Sequence, residues 1–163
     1  ATVCGPNRKP ECGSCPCRKI CLGYQHGTAE TLPVKSPKRE RRQEDRTVFI
    51  LQCDGKYALE KRPGKGLLAG LWQFPNVTGH LDTAQALAEV ERMGLRPREI
   101  LREVSRKHIF THIEWHQSGY FLTVPEQPAP AGCVWAGKEQ LETAYTLPGA
   151  FKVYKKLLLT KLL

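Results

Sequence analysis

Five of the seven cysteines, Cys4, Cys12, Cys15, Cys17 and Cys21, fall within the first 21 residues, and Cys53 and Cys133 stand apart. An odd total and such crowding argue against a disulfide scaffold. Thiolates clustered on a short loop hold metal, and four of them suit tetrahedral zinc or an iron–sulfur cube. The spacing is Cys4-x7-Cys12-x2-Cys15-x5-Cys21, with Cys17 inside the last interval. Zinc sites usually arrange four cysteines as two separated short pairs. One short pair with a single outlying cysteine on each side favours the cube, with Cys4, Cys12, Cys15 and Cys21 as ligands and Cys17 as a bystander. Arg8, Lys9, Arg18 and Lys19 alternate with the thiols. A metal-tied loop edged with cations suits a phosphate backbone; the alternative is a solvated basic loop.

The elements that must position such a loop follow in order. The chain has 163 residues, enough for one compact domain and an appendage. Its apolar fraction of 40% supports a core, and no stretch approaches the ~20 apolar residues of a membrane span. Lys and Arg number 25 against 16 Asp and Glu, a net +9 that suits a polyanionic partner. Residues 1–47 carry net +5 and the remaining residues net +4, so the charge concentrates early. Ala1-Thr2-Val3-Cys4-Gly5 lacks both an apolar signal core and an initiating Met, and reads as a cut inside a longer protein.

Three parts are expected: a cysteine-rich loop over 1–23, an extended basic linker over 24–46, and a domain over 47–163. The linker contains Pro33, Pro37 and the cations Lys35, Lys38, Arg39, Arg41 and Arg42, expected to meet phosphates only. From Thr47 the pattern turns regular. Val48–Cys53, the pair Asp54-Gly55 and Tyr57–Lys61 predict a β-hairpin. Asp82 caps a predicted helix that runs to Met93 and stops at Gly94. Strands are expected over Ile100–Arg106, Ile113–Val124 and at Cys133-Val134-Trp135, then helices over Lys138–Ala144 and Ala150–Leu162. The class is α+β. Phe110-Thr111-His112 falls between two strands, where a hairpin tip belongs. Trp72, Trp115 and Trp135 read as core.

Four pieces of this chain together resemble one family, the C-terminal part of the bacterial A/G-specific adenine DNA glycosylases (MutY). They are the cysteine loop, Ala29–Lys35, Gly66–Pro75 and Phe110-Thr111-His112-Ile113. The family motif has six residues between its first two cysteines where this chain has seven, and the Gly5-Pro6-Asn7 turn is the place to absorb the extra one. The resemblance implies a [4Fe–4S] cluster and a Nudix-like domain, a mixed β-sheet with packing helices. It implies a part of a bacterial, cytoplasmic, nucleoid-associated monomer that binds double-stranded DNA carrying 8-oxoguanine opposite adenine. The partner within the same protein would be an N-terminal catalytic domain, which in the family holds the glycosylase carboxylates, so this chain would recognise and not catalyse. In the family an aromatic–hydroxyl–histidine triplet meets the lesion. Oxidation puts a proton on guanine N7 and a carbonyl at C8, so a reader needs an acceptor facing N7 and a donor facing O8. Thr111 can serve as either, Phe110 can wedge into the stack, and His112 can touch phosphate or brace the loop. The plainer alternative has Phe110 capping the core and His112 on the surface.

A nucleotide pyrophosphohydrolase on the same fold is the competing expectation, with a zinc-bound interaction module as a third. A working Nudix box, G-x5-E-x7-R-E-U-x-E-E-x-G-U with U a bulky apolar residue, needs several glutamates on one helix to hold divalent metal. With its last Gly on Gly94, only Glu91 falls on a ligand position and Gly79 replaces the first glutamate. One carboxylate does not build that site.

Overall fold

In the computed structural model, residues 2–5, 7–34 and 40–160 are described. The chain forms two compact units, Ala1–Glu40 and Arg41–Leu163. The first is made of short turns. Two 3-10 turns, Cys12–Ser14 and Arg18–Ile20, precede the single-turn helix α1, Leu22–Gln25. None of the three buries a residue, so chain reversals and not a core define this unit.

The second unit is a seven-stranded mixed sheet between helices. Its strands are β1 (Arg42–Cys53), β2 (Lys56–Lys61), β3 (Trp72–Gln73), β4 (Asn76–Thr78), β5 (Glu99–Ile109), β6 (Ile113–Thr123) and β7 (Cys133–Ala136). The order is β3-β2-β1-β6-β5, with β4 on β1 and β7 on β2. β1 and β6 run parallel from Arg42↔Ile113 to Gln52↔Thr123. Being central, they are buried on both faces over Thr47–Leu51 and Gln117–Leu122, where Val48–Leu51 and Tyr120–Leu122 read as apolar runs. Alternate side chains part accordingly. Val48, Ile50 and Phe121 join Leu141, Phe151, Tyr154 and Leu158 on the side of α3 (Lys138–Thr143) and α4 (Lys152–Leu159). Phe49, Leu51, Tyr120 and Leu122 join Ala86 and Val90 of α2 (Thr83–Arg92) on the other.

Local chemistry explains the joints. Asp54 and Gly55 both take positive φ, 45° and 69°, as a two-residue hairpin turn requires. A capping box starts α2: Gln85 N–H donates to Asp82 Oδ1 at 2.8 Å, and Asp82 N–H to Gln85 Oε1 at 3.1 Å. Gly119 lets α4 approach the sheet, because a Cβ there would lie 2.4 Å from Tyr154 Cε1. Burial pushes the Tyr154 phenol far above its usual range. No helix among the described residues is long and apolar enough to cross a membrane.

The mixed sheet with packing helices agrees with expectation; several boundaries differ. The expected linker bounds, 24–46, meet structured residues at both ends. Tyr24, Ala29, Leu32 and Pro33 belong to the cysteine unit, and β1 begins at Arg42 instead of Thr47. Its polar first half, Arg42–Arg46, has no apolar alternation, and pairing with Ile113–Gln117 holds it extended. The last helix starts with a 3-10 turn at Gly149–Phe151 and regular helix covers Lys152–Leu159. Trp115 is fully buried, while Trp72 and Trp135 are half-buried at the core's rim. Lys35, Lys38 and Arg39 lie outside the described residues.

Candidate nucleic-acid interface and cysteine site

In the first unit, Cys4, Cys12, Cys15 and Cys21 line one cavity of about 510 Å³ and Cys17 does not. The seven-residue interval is shortened by a turn in which Arg8 N–H donates to Gly5 O at 3.4 Å. Glu11 N–H donates to Val3 O at 2.8 Å and brings Cys4 back toward Cys12. Among the described residues, no three Cys, His, Asp or Glu side chains are gathered to hold a metal ion. A single tetrahedral zinc would require thiolates about 3.8 Å apart, from Zn–S bonds of about 2.3 Å. A cube carries one thiolate on each iron corner and spreads them wider than a single zinc does. Three of the four loop cations are engaged locally. Arg8 pairs with Glu11 at 2.9 Å, Lys9 with Glu30 at 3.1 Å, and Arg18 stacks 4.7 Å from the Tyr24 ring centre. The Lys19 carbonyl accepts from Gln25 Nε2, and its side chain is exposed.

In the second unit, Phe110-Thr111-His112 forms the tip of the β5–β6 hairpin, closed by Phe110 N–H donating to Ile113 O at 2.8 Å. Thr111 and His112 are exposed. Phe110 is half-buried and packs back onto the domain. Its ring meets His108 edge-on with centroids 4.6 Å apart, and Trp115 at 4.9 Å. Partial burial pushes the His108 imidazole below its usual pKa. Phe110 thus packs against the core, and His112 lies exposed at the surface.

The residues beneath the tip form a polar layer around Trp115. The Arg46 guanidinium lies 4.4 Å and that of Arg62 5.9 Å from the Trp115 ring centre. Trp115 Nε1–H donates to Glu44 Oε2 at 3.0 Å, and Arg46 Nη1 donates to Asn76 Oδ1 at 2.9 Å. Burial raises the Glu44 pKa, but the Trp115 indole N–H and the Arg42 and Arg46 guanidinium groups outweigh it and hold the carboxyl below its usual range. Arg62 donates to Gln73 Oε1 at 2.6 Å, and Gln73 Nε2 donates to Glu60 Oε1 at 2.5 Å. Burial raises Glu60 and lowers Arg62.

Two cations assigned to the linker belong here. Arg41 Nε–H donates to Phe110 O at 3.2 Å across 69 positions of sequence. Arg42 N–H donates to His112 O at 3.1 Å, while its side chain pairs with Glu44. Charge pattern alone could not reveal this, because both residues sit in a cationic run without hydrophobic period. Nor did it find Arg46 and Arg62; the one signal was Gln73, a polar residue inside the apolar stretch Leu71–Pro75. On α2, Ala86 and Val90 point to the core and Glu91 is exposed without a second carboxylate at a box position.

The family model described as the NUDIX domain matches residues 46–157. Human adenine DNA glycosylase is 27% identical over 95% of this chain and 38% of its own length. The Arabidopsis thaliana adenine DNA glycosylase is 34% identical over 69% of this chain and 22% of its own. The chain thus spans well under half the length of these relatives. Among solved structures, the C-terminal domain of mouse MUTYH, crystallised in complex with human PCNA, aligns with a TM-score of 0.53 at 25% identity. That alignment covers 74% of this chain and 89% of the mouse chain. The sheet, its flanking helices and a match over most of their length have one reading: the chain belongs to the NUDIX domain family, and its relatives are adenine DNA glycosylases.

Proposed function

We propose that this chain is the lesion-recognising part of an adenine DNA glycosylase acting in base-excision repair, and that it carries no glycosylase or pyrophosphohydrolase chemistry of its own. The observation that carries the reading is the β5–β6 tip, where Thr111 and His112 stand exposed on a domain whose relatives are adenine DNA glycosylases. Thr111 supplies a hydroxyl to the N7–H and O8 edge of 8-oxoguanine opposite adenine. Phe110 leaves its seat on Trp115 to enter the stack, and His112 contacts the adjoining backbone. Arg8, Lys9, Arg18, Lys19, Arg42 and the segment with Lys35, Lys38 and Arg39 supply phosphate contacts. Adenine is removed by a catalytic domain elsewhere in the same protein. Hydrolysis of nucleotides is disfavoured because α2 presents Glu91 alone where a working box needs several carboxylates.

Cys4, Cys12, Cys15 and Cys21 hold a [4Fe–4S] cluster, a reading supported by their shared cavity and by the exclusion of Cys17 from it. The cluster would supply a cross-link that fixes a coreless loop as one piece, much as structural metals do in other small units.

The test is equilibrium binding to two duplexes differing only in 8-oxoguanine or guanine opposite adenine, for the wild type and Thr111→Val. The wild type should prefer the oxidised duplex. Thr111→Val keeps the shape and leaves a polar group unmet, which costs about 1–3 kcal/mol, or roughly 5- to 150-fold, on that duplex alone. A wild type indifferent to the oxidised base would refute the reading.

A further inference from the structure

We infer that Arg41 is a positioning residue for the recognition tip: its guanidinium fixes the backbone from which Thr111 projects, and it is not one of the phosphate contacts. The inference rests on the reading of residues 110–112 as the lesion reader.

The hydrogen bonds of the tip show what holds it. The Phe110 N–H is committed to Ile113 O at 2.8 Å, the His112 carbonyl to Arg42 N–H at 3.1 Å, and the Phe110 carbonyl to Arg41 Nε–H at 3.2 Å. Two of these bonds are backbone to backbone and are made by any residue at position 42 or 110 except proline. The third depends on a side chain. It is also the one that restrains the peptide joining Phe110 to Thr111, so it sets the direction in which the Thr111 hydroxyl leaves the hairpin.

Arg41 is suited to that task and badly suited to scanning phosphates. It is half-buried, whereas Arg42 beside it is exposed and paired with Glu44. A guanidinium places its Nε–H in a fixed plane close to the stem, and an ammonium at the end of a flexible chain does not reproduce that donor. The aromatic seat supplies a second restraint from below: Phe110 against His108 and Trp115, with Arg46 stacked on the far ring. A three-residue loop held at its rim by Arg41 and underneath by Trp115 offers its middle residue at a defined height. That is what discriminating one carbonyl and one N–H on a base edge requires.

The experiment uses the complete protein and compares Arg41→Lys, Arg41→Ala and Arg42→Ala. One readout is the ratio of dissociation constants for the guanine and 8-oxoguanine duplexes at fixed salt. The other is hydrogen exchange of the Phe110 amide without DNA. Both Arg41 variants should narrow the ratio by about fivefold, the worth of one hydrogen bond of about 1 kcal/mol, and speed Phe110 exchange several-fold. Arg42→Ala should weaken both duplexes alike and leave the ratio intact. The inference is overturned if Arg41→Lys behaves as wild type while Arg41→Ala weakens both duplexes equally, which is the signature of a phosphate contact. A wild type with no preference for the oxidised duplex would refute the lesion-reader assignment instead, and Phe110 exchange then decides Arg41 alone: unchanged exchange in both variants overturns its positioning role.

Discussion

Replacing Phe110 with Ala should cost folding stability before any DNA is added, and the size of that cost follows from where the ring sits. A wedge that merely projects into solvent contributes nothing to the free domain. Here the ring makes two edge-on contacts, with His108 at 4.6 Å and Trp115 at 4.9 Å. Pairs of this kind contribute about 0.5–1.5 kcal/mol each beyond area burial. Full burial of a phenylalanine is worth up to about 3 kcal/mol, and this ring is only half-buried. Phe110→Ala should therefore lower unfolding free energy by about 1–3 kcal/mol, seen as a lower urea midpoint at unchanged slope. The same variant should weaken binding to both the guanine and 8-oxoguanine duplexes, because a wedge acts on stacking in either. The two effects are linked. Whatever the ring gains between bases is reduced by what it loses on leaving Trp115, so the binding loss should be smaller than stacking alone suggests. Stability within about 0.5 kcal/mol of wild type would refute the seated ring and restore the free-standing finger.

Two further outcomes follow from the cysteine cavity and the sheet. Cys17→Ser should leave the iron and labile sulfide content of the purified protein unchanged, and Cys15→Ser should abolish both; the reverse pattern would show that the ligand register is wrong. Gly119→Ala should destabilise the domain by about 1–3 kcal/mol in denaturant melts, since its methyl would sit 2.4 Å from the Tyr154 ring and overpacking costs that much; a neutral result would show that α4 shifts freely.

The parts of this molecule that were legible in sequence are those where local pattern and tertiary need agree. Asp54-Gly55 demands a two-residue turn, Asp82 and Gln85 cap a helix reciprocally, and the apolar run at Val48–Leu51 belongs to a strand buried on both faces. The polar half of β1 was illegible for the opposite reason. Arg42-Gln43-Glu44-Asp45-Arg46 has no period, and its conformation is imposed by the facing strand and by Trp115, which binds Glu44 through its indole N–H and carries Arg46 on its face. Trp115 could be read as core from its spacing. That it also gathers three polar side chains could not, because Glu44, Arg46 and Arg62 lie far from it in sequence. For the same reason Arg41 reads as one more cation in a basic run until its partner 69 positions away is seen.

The layout also separates the proposed reader from the helix on which the Nudix box falls. The hydrolase signature belongs to α2, which packs through Ala86 and Val90 over Tyr120 and Leu122 toward one end of β6. The reading tip is at the other end, where β6 begins at Ile113. Between Ile113 and Tyr120 a strand rises about 23 Å, at about 3.3 Å per residue. α2 carries Glu91 alone at a box position and closes one face of the sheet as a capped amphipathic helix. What the tip requires is rigidity along β1 and β6, which pair in parallel without interruption from Arg42↔Ile113 onward. The same pairing that holds the apolar centre together delivers Arg41 and Arg42 to the carbonyls of Phe110 and His112. If the proposed reading holds, recognition depends on the hairpin end of β1 and β6 and not on a remodelled hydrolase centre, and substitutions on the exposed face of α2 should leave it untouched.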